Sequence, residues 1–396
     1  MFNDFKNLPL DRSLPSSLVN IDEKSRSNLF TWRGQFSPQL VEQLLINYSG
    51  SKQVVFDPFL GSGTVLYEAA LLGLSAVGTE INPAAISFAK IYELANVPRE
   101  DIIASVANIE DFISHYTSDL PLFSDKAADE FVDDIIERFD SCKEPIERSI
   151  LNALITGLDL EAKKFDIKRL KNVWSALKGN IDRVPSSSAK ISCYQADARK
   201  TPISKNTVDI VITSPPYINV FNYHQNYRKS VEKTGVDVLT VAKSEIGANR
   251  KFRQNRFLTV VQYCMDLAEV FIELKRVCKP TAKIFLIVGR ESNVRRTAFK
   301  NAELISSVLE LAGFDVVGEQ ERVFKNKFGE SIYEEILRVQ VASNMTPDLI
   351  DEAREVGRNA LKESLRYCLP EVKQEIIEAI EKSKYITTSP FLEAKE

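Results

Sequence analysis

The chain has 396 residues, a formal net charge of −4, 44% hydrophobic and 27% charged side chains, the make-up of a globular protein of up to three domains. No apolar run is long enough to span a bilayer, and the N-terminus, with Asp4 and Lys6, lacks an apolar signal region, so a cytoplasmic protein without membrane attachment is expected. Two histidines and five scattered cysteines, none at metal-ligand spacing, argue against a metal site and a disulfide framework.

Residues 1–30 are polar with scattered prolines and are expected over the surface. From Arg33 to Asn96 the pattern reads helix, strand, helix, strand, helix. Ser37 suits an N-cap and Pro38 a first helical position, opening a helix through Tyr48. The apolar run Val54 to Phe56 leads into Asp57-Pro58-Phe59-Leu60-Gly61-Ser62-Gly63-Thr64, with helix formers after it to Leu72. Glycines in such a turn permit positive φ and let a ligand approach the backbone. The next strand, Ser75 to Thr79, ends in Glu80, then Ile81 and Asn82-Pro83. An acidic side chain at a second strand end, roughly 20 residues past a glycine turn, is placed to accept hydrogen bonds from ribose hydroxyls.

Between Arg99 and Lys190 the strand signal fades, and Phe131, Ile135 and Phe139 recur at helical steps, as do Leu151, Ile155 and Leu158. Residues 99–148 carry fourteen acidic side chains against five basic ones, so this half should face away from phosphates. The α/β pattern resumes at Ile191 with a short strand to Tyr194. A second strand, Val208 to Ile212, ends in Thr213-Ser214-Pro215-Pro216-Tyr217. Two prolines fix φ and remove two donors, leaving carbonyls free to point outward. The Ser214 hydroxyl and Pro215 carbonyl can accept from an exocyclic amine, and Tyr217 can stack on its ring. From Asn219 to Phe257, eight basic side chains oppose three acidic ones, with aromatics such as Phe221, Tyr223 and Tyr227 interleaved. That mixture suits a nucleic-acid surface, with Arg250, Lys251, Arg253 and Arg256 as one candidate DNA-binding patch. An amphipathic helix, Leu258 to Val277, is broken by Pro280, and a strand follows from Ala282 to Val288. A helix from Ala302 to Leu311 stops at Gly313, and two strand-like stretches flank the basic run Arg322 to Gly329, where Arg322, Lys325 and Lys327 could touch phosphate. The tail, Asn344 to Ser383, reads as two helices, the first capped by Thr346 with Pro347 after it, the second starting at Pro370.

DPFLGSGT and TSPPY resemble the cofactor and catalytic motifs of amino-group DNA methyltransferases, which use S-adenosylmethionine. The resemblance covers roughly Thr31 to Gln340 apart from the long insertion, and implies an α/β Rossmann-like seven-stranded methyltransferase sheet with a helical insertion and a C-terminal helical tail. Residues 31–98 and 190–342 would form the catalytic domain, 99–189 the insertion, 219–257 a DNA-recognition segment and 344–396 the tail. Arg33 to Pro38 resembles the segment closing over the methionine part of the cofactor, bringing in Phe36, Ser37 and Pro38. The glycine turn contributes Asp57, Pro58, Phe59, Gly61, Gly63 and Thr64, and the second strand end Glu80 and Ile81. Gln195-Ala196-Asp197-Ala198 resembles the turn around the adenine ring, with Asp197 accepting from its amine. The catalytic residues implied are Ser214, Pro215, Pro216 and Tyr217, with no metal.

The SPPY form is most similar to cytosine-N4 enzymes. The order, cofactor motif first, resembles the non-permuted groups, some of which methylate adenine. Adenine-N6 methylation is therefore the alternative; an RNA amino-methyltransferase and a catalytically silent DNA-recognition subunit lie further off, the last opposed by the intact motifs. Double-stranded DNA is the implied partner, with cognate restriction or defence components.

Overall fold

The structure, a computed structural model, describes every residue except 1–4, 22–24, 118–124, 161–164, 219–222, 249–251, 327, 343 and 393–396. The chain enters through α1 (Ser16–Val19) and α2 (Pro38–Tyr48), then makes two strand–helix units: β1 (Val54–Asp57), α3 (Thr64–Leu72), β2 (Ser75–Glu80) and α4 (Pro83–Ala89). Four helices interrupt the alternation: α5 (Arg99–Thr117), α6 (Asp125–Ser141), α7 (Pro145–Leu158) and α8 (Ile167–Arg183). The sheet resumes with β3 (Ile191–Gln195) and β4 (Val208–Thr213). Short helices α9 (Arg228–Lys233) and α10 (Val238–Ser244) precede α11 (Leu258–Val277). Then come β5 (Cys278–Gly289), a small hairpin of β6 (Glu291–Val294) and β7 (Thr297–Lys300), α12 (Asn301–Leu311), and the long strands β8 (Phe314–Lys325) and β9 (Ser331–Val341). The tail holds α13 (Leu349–Ser364) and α14 (Lys373–Lys382).

The main sheet has seven strands in the order β3-β2-β1-β4-β5-β9-β8. Pairings from β3 to β5 are parallel, and β9 runs antiparallel to both neighbours. This is a doubly wound, Rossmann-like α/β sheet with an antiparallel strand inserted near one edge. Alternating side chains feed a core on each face: Val55, Ile210 and Ile212 pack with α2 to α8, while Phe56 and Val211 pack with α11 to α14, joined by Val208 across a register slip in β4. The four inserted helices share the first of these cores, and Phe131, Ile135, Leu151, Ile155 and Leu158 are all buried in it.

Several elements differ from expectation, each for a physical reason. Residues 1–30 do not merely lie over the surface: Leu10, Leu14, Val19, Leu29 and Phe30 are buried. This segment runs along β8, where Gln320 Nε2 donates to the Leu14 carbonyl and Arg322 Nε to that of Val19, so it covers an edge strand. Most of α11 is buried rather than half-exposed, because α13 and α14 cover the side turned from the sheet. β5 begins at Cys278 and includes Pro280, because the β4–β5 register slips between Val208 and Ile210 and a proline is tolerated at such an irregularity. α13 starts at Leu349, after Asp348 at φ 56°, not at Pro347.

A two-chambered cleft at the strand ends

The strand order reverses between β1 and β4, the place where open α/β sheets bind ligands at the carboxyl ends of their strands. The glycine turn leaves β1 and the proline turn leaves β4, so sheet pairing alone makes them neighbours. Thr213 Oγ1 donates to Asp57 Oδ1 at 2.6 Å, and the Phe59 N–H donates to the same oxygen at 3.0 Å. Gly61 and Gly63 hold φ of 54° and 93°, the left-handed region that side chains resist. The turn folds back so that the Gly61 N–H donates to Glu80 Oε2 and the Asn82 N–H to Oε1, both at 2.8 Å. Asn82 also caps α4. Glu80 is thereby pinned at the end of β2.

The first chamber is lined by Pro58, Phe59, Gly61, Glu80, Ile81, Asp197, Ala198, Ser214 and Pro216. Trp32, Arg33, Gly34, Asn82, Tyr223, Ser244, Glu245 and Ile246 complete it, and the motifs did not point to most of these. Trp32 stacks against Tyr227 with ring centroids 6.2 Å apart and lies beside Gly61, where an added Cβ would meet its ring at 3.5 Å. Burial pushes the Glu80 carboxyl up to about 7, its backbone donors pull it down and the nearby Glu245 pushes it further up. Asp57 lies beneath the turn, also pushed up to about 7 by burial, and its Oδ2 is a buried acceptor with no hydrogen-bond donor.

The second chamber opens on the other side of the proline turn. Pro215 and Tyr217 line it with Asn28, Phe30, Gln35, Ile287 and Phe324, and so do Arg322 and Glu334 from the β8–β9 ladder. Trp32, Gly34, Ser214, Pro216 and Tyr223 line both chambers. The Tyr217 ring lies over Gly289, where a Cβ would come within 3.2 Å of it, and its hydroxyl is 3.4 Å from Ser214 Oγ. Burial pushes that hydroxyl up to about 12, with Glu334 adding to the effect.

Some expected residues stand elsewhere. Phe36, Ser37 and Pro38 line the second chamber rather than the first. Gly63 and Thr64 are buried at the start of α3; Thr64 Oγ1 donates to Asn28. Asp197 reaches the first chamber, but its carboxylate is taken: Oδ1 accepts from Arg199 N and Nε, and Oδ2 from Arg199 Nη2 and the Leu392 N–H. With those acceptor positions filled, the expected bond from an adenine amine has no place on Asp197. The described part of segment 219–257 is not a free basic loop either. Tyr223, Ser244, Glu245 and Ile246 form a wall of the first chamber, and buried His224 is held to Glu245 by its backbone N–H and Nδ1, both at 2.9 Å. Gly247, at φ 71°, presses so closely on the Tyr217 carbonyl that a Cβ would sit 2.4 Å from it. Arg253 and Arg256 are exposed, while Arg250 and Lys251 lie outside the described residues. Arg322 is buried, against its expected place at a phosphate. Lys325 is exposed, and Lys327 is not among the described residues. Among the described residues no His, Cys, Asp or Glu cluster is arranged to hold a metal, and no helix is long and apolar enough to cross a membrane.

Residues 5–91 match the family model for N6/N4 methyltransferases described as DNA methylase. The chain is 21% identical to the Type II methyltransferase M.MjaII of Methanocaldococcus jannaschii over 458 aligned positions, spanning 82% of this chain and 83% of the relative. It is 25% identical to the Type II methyltransferase M.BsoBI of Geobacillus stearothermophilus over 300 positions, 57% of this chain and 56% of the relative. Among solved structures, a SAM-dependent methyltransferase from Methanosarcina mazei overlaps with a TM-score of 0.35 at 13% identity, covering 76% of this chain and 97% of that one.

Proposed function

We propose that this chain is a DNA methyltransferase that moves a methyl group from S-adenosylmethionine to the N4 amine of cytosine. The family match and the two curated relatives support the broader part of this reading, an amino-group DNA methyltransferase with S-adenosylmethionine as cofactor. The single observation that carries it is the shared wall: Ser214 and Pro216 line both chambers, so groups held in the two can meet at the proline turn. The cofactor fits the first chamber. Glu80 offers acceptors for ribose hydroxyls, and the open glycine turn admits close backbone contact.

Bound there, S-adenosylmethionine supplies an electrophilic methyl group. The protein must do the rest by positioning. An amine on a nucleobase is a poor nucleophile because its lone pair delocalises into the ring. Hydrogen bonds from its two protons to Ser214 Oγ and the Pro215 carbonyl favour a pyramidal nitrogen and free that pair. Tyr217 offers a stacking face. A base in a duplex cannot reach this depth, so it is flipped out at a cost of a few kcal/mol.

Cytosine is favoured by Ser214 at the first position of the tetrapeptide, and the order of the motifs favours adenine as the second reading. Residues 31–98 and 190–342 would carry this chemistry, with 99–189 and 344–396 bracing it; a place in a restriction or defence system fits the curated relatives' description as Type II methyltransferases. The test is mass spectrometry of nucleosides from plasmid DNA incubated with the protein and S-adenosylmethionine. N4-methylcytosine is expected; N6-methyladenine alone would install the second reading, and no methylated nucleoside would remove both.

A further inference from the structure

The second chamber contains an ion pair between a buried arginine and a half-buried glutamate that no step above uses. On β9, Glu334 pairs across the ladder with Gly289 on β5 and with Arg322 on β8. Cross-strand partners share a face, so Gly289, Glu334 and Arg322 form one row, with the Tyr217 ring lying over its first member. Arg322 Nη1 donates to Glu334 Oε2 at 2.9 Å and Nε to the Val19 carbonyl at 3.1 Å, while the guanidinium stacks on Phe324 with 4.6 Å to the ring centroid. Arg322 is 3% exposed overall. The end of its fork, one hydrogen on Nη1 and both on Nη2, has no further partner among the described residues, although Arg322 lines the chamber. A guanidinium kept in a buried wall with donors to spare calls for acceptors.

We propose that Arg322, held in place by Glu334, reads the target base by donating to the N3 and O2 atoms of cytosine. This rests on the N4 reading above. With the amine at Ser214 and Pro215, the next two atoms along the cytosine edge are both acceptors, and the planar guanidinium fork matches two adjacent acceptors. Adenine presents one acceptor beside its amine and then a C–H, so one donor would stay unmet in a buried site. Sites built on such donors reject bases that cannot accept. Arg26, the other cation lining the chamber, is engaged by Glu42 and Glu68.

The wild-type product nucleoside tests the N4 reading, and Arg322→Met tests this inference. Base-resolved sequencing of DNA methylated by the wild type supplies the site, built into one duplex with the target cytosine and another with an abasic residue there. In the presence of S-adenosylhomocysteine, Arg322→Met should weaken binding of the cytosine duplex roughly 10–100-fold, the range of one bidentate base contact. The abasic duplex and S-adenosylhomocysteine itself should bind within twofold of wild type. Arg322→Lys should fall between. The double variant Arg322→Met with Glu334→Leu, which leaves no buried charge alone, should show the same selective loss. Equal weakening on both duplexes, an unchanged cytosine affinity, or a double variant that recovers wild-type cytosine binding would each overturn the proposal. N4-methylcytosine from the wild type combined with any of these leaves the N4 reading standing and removes only the role of Arg322. N6-methyladenine alone removes both.

Discussion

The two chambers meet at one proline turn but are built in opposite ways. The floor of the first comes from short contiguous stretches at the ends of β1, β2 and β3, where the spacing of glycines and one carboxylate already announces a ligand, and only its walls, at residues 32–34 and 223–246, come from elsewhere in the chain. The second is gathered from the N-terminal segment, the proline turn, β5 and the β8–β9 ladder, so its charged side chains come from stretches hundreds of residues apart. Local geometry writes itself into local sequence, whereas a cavity closed by long-range packing leaves single residues in unremarkable strands.

The largest expected effect would break this contrast, because it makes the first chamber depend on distant chain. Arg199 is fully buried and answers Asp197, Asp266 and Glu269 at 2.6, 3.5 and 3.2 Å. Arg199→Met leaves those carboxylates without their cation, at a cost of about 3–5 kcal/mol. Urea unfolding should show that loss, together with weakened cofactor binding. Unchanged stability would mean that the first chamber stands on its local turns alone.

Next comes Glu80→Gln. A glutamine must turn its NH₂ toward either the Gly61 or the Asn82 N–H, so S-adenosylmethionine affinity should fall by about 1.5–3 kcal/mol in titration calorimetry. The pH dependence has a definite sign. Below about 7 the Glu80 carboxyl is protonated and loses acceptor strength, so wild-type affinity should drop as pH falls through that value, and the variant should lack the step. Stability of the free protein runs the other way: Asp57 and Glu80 are both raised from ordinary values near 4, so the folded state binds more protons, and stability declines as pH rises from there to about 7. An affinity profile that is flat in wild type would contradict Glu80 as the ribose acceptor.

Tyr217→Ala sharpens the contrast from the other side. It should reduce duplex affinity by about 1–3 kcal/mol, the value of one stacked base, while cofactor affinity stays put. Gly289→Val, whose Cβ would press on the same ring, should mimic it in part. If both ligands weakened equally, the chambers would be a single site. The smallest effect belongs to the exposed cations: Arg253→Ala and Arg256→Ala should each reduce the slope of log affinity against log salt by about one unit if they contact phosphate. Unchanged slopes would move the DNA surface elsewhere.

The legibility of the molecule follows the same division. Val54 to Asp57, Val208 to Thr213 and the helix from Leu258 to Val277 stand where their periodicity puts them, since each is a continuous pattern with clear stops. The cleft's Glu80, Gly61 and Ser214 were found the same way. Trp32, one residue before the Arg33–Pro38 segment, and Glu245, inside a stretch that reads as basic surface, are brought into the first chamber only by the fold. Arg322 was misread as a surface cation because a basic run looks solvated until Glu334 and the Val19 carbonyl are seen facing it. Asp197 was read from its motif alone, and no motif displays the arginine two residues on taking its oxygens.

That arginine carries one more implication. Arg199 also donates to the carbonyls of Ser389 and Pro390, and Asp266 accepts from the Ser389 N–H, so the turn beneath the first chamber is clasped by residues reached only after the whole sheet and both tail helices. During synthesis the sheet can pair and the proline turn can form while the clasp is still inside the ribosome. Until then Arg199 keeps its carboxylate partners but lacks two carbonyl acceptors, and Asp197 lacks the Leu392 N–H. The turn beneath the first chamber is thus completed only once residues 389–392 have emerged.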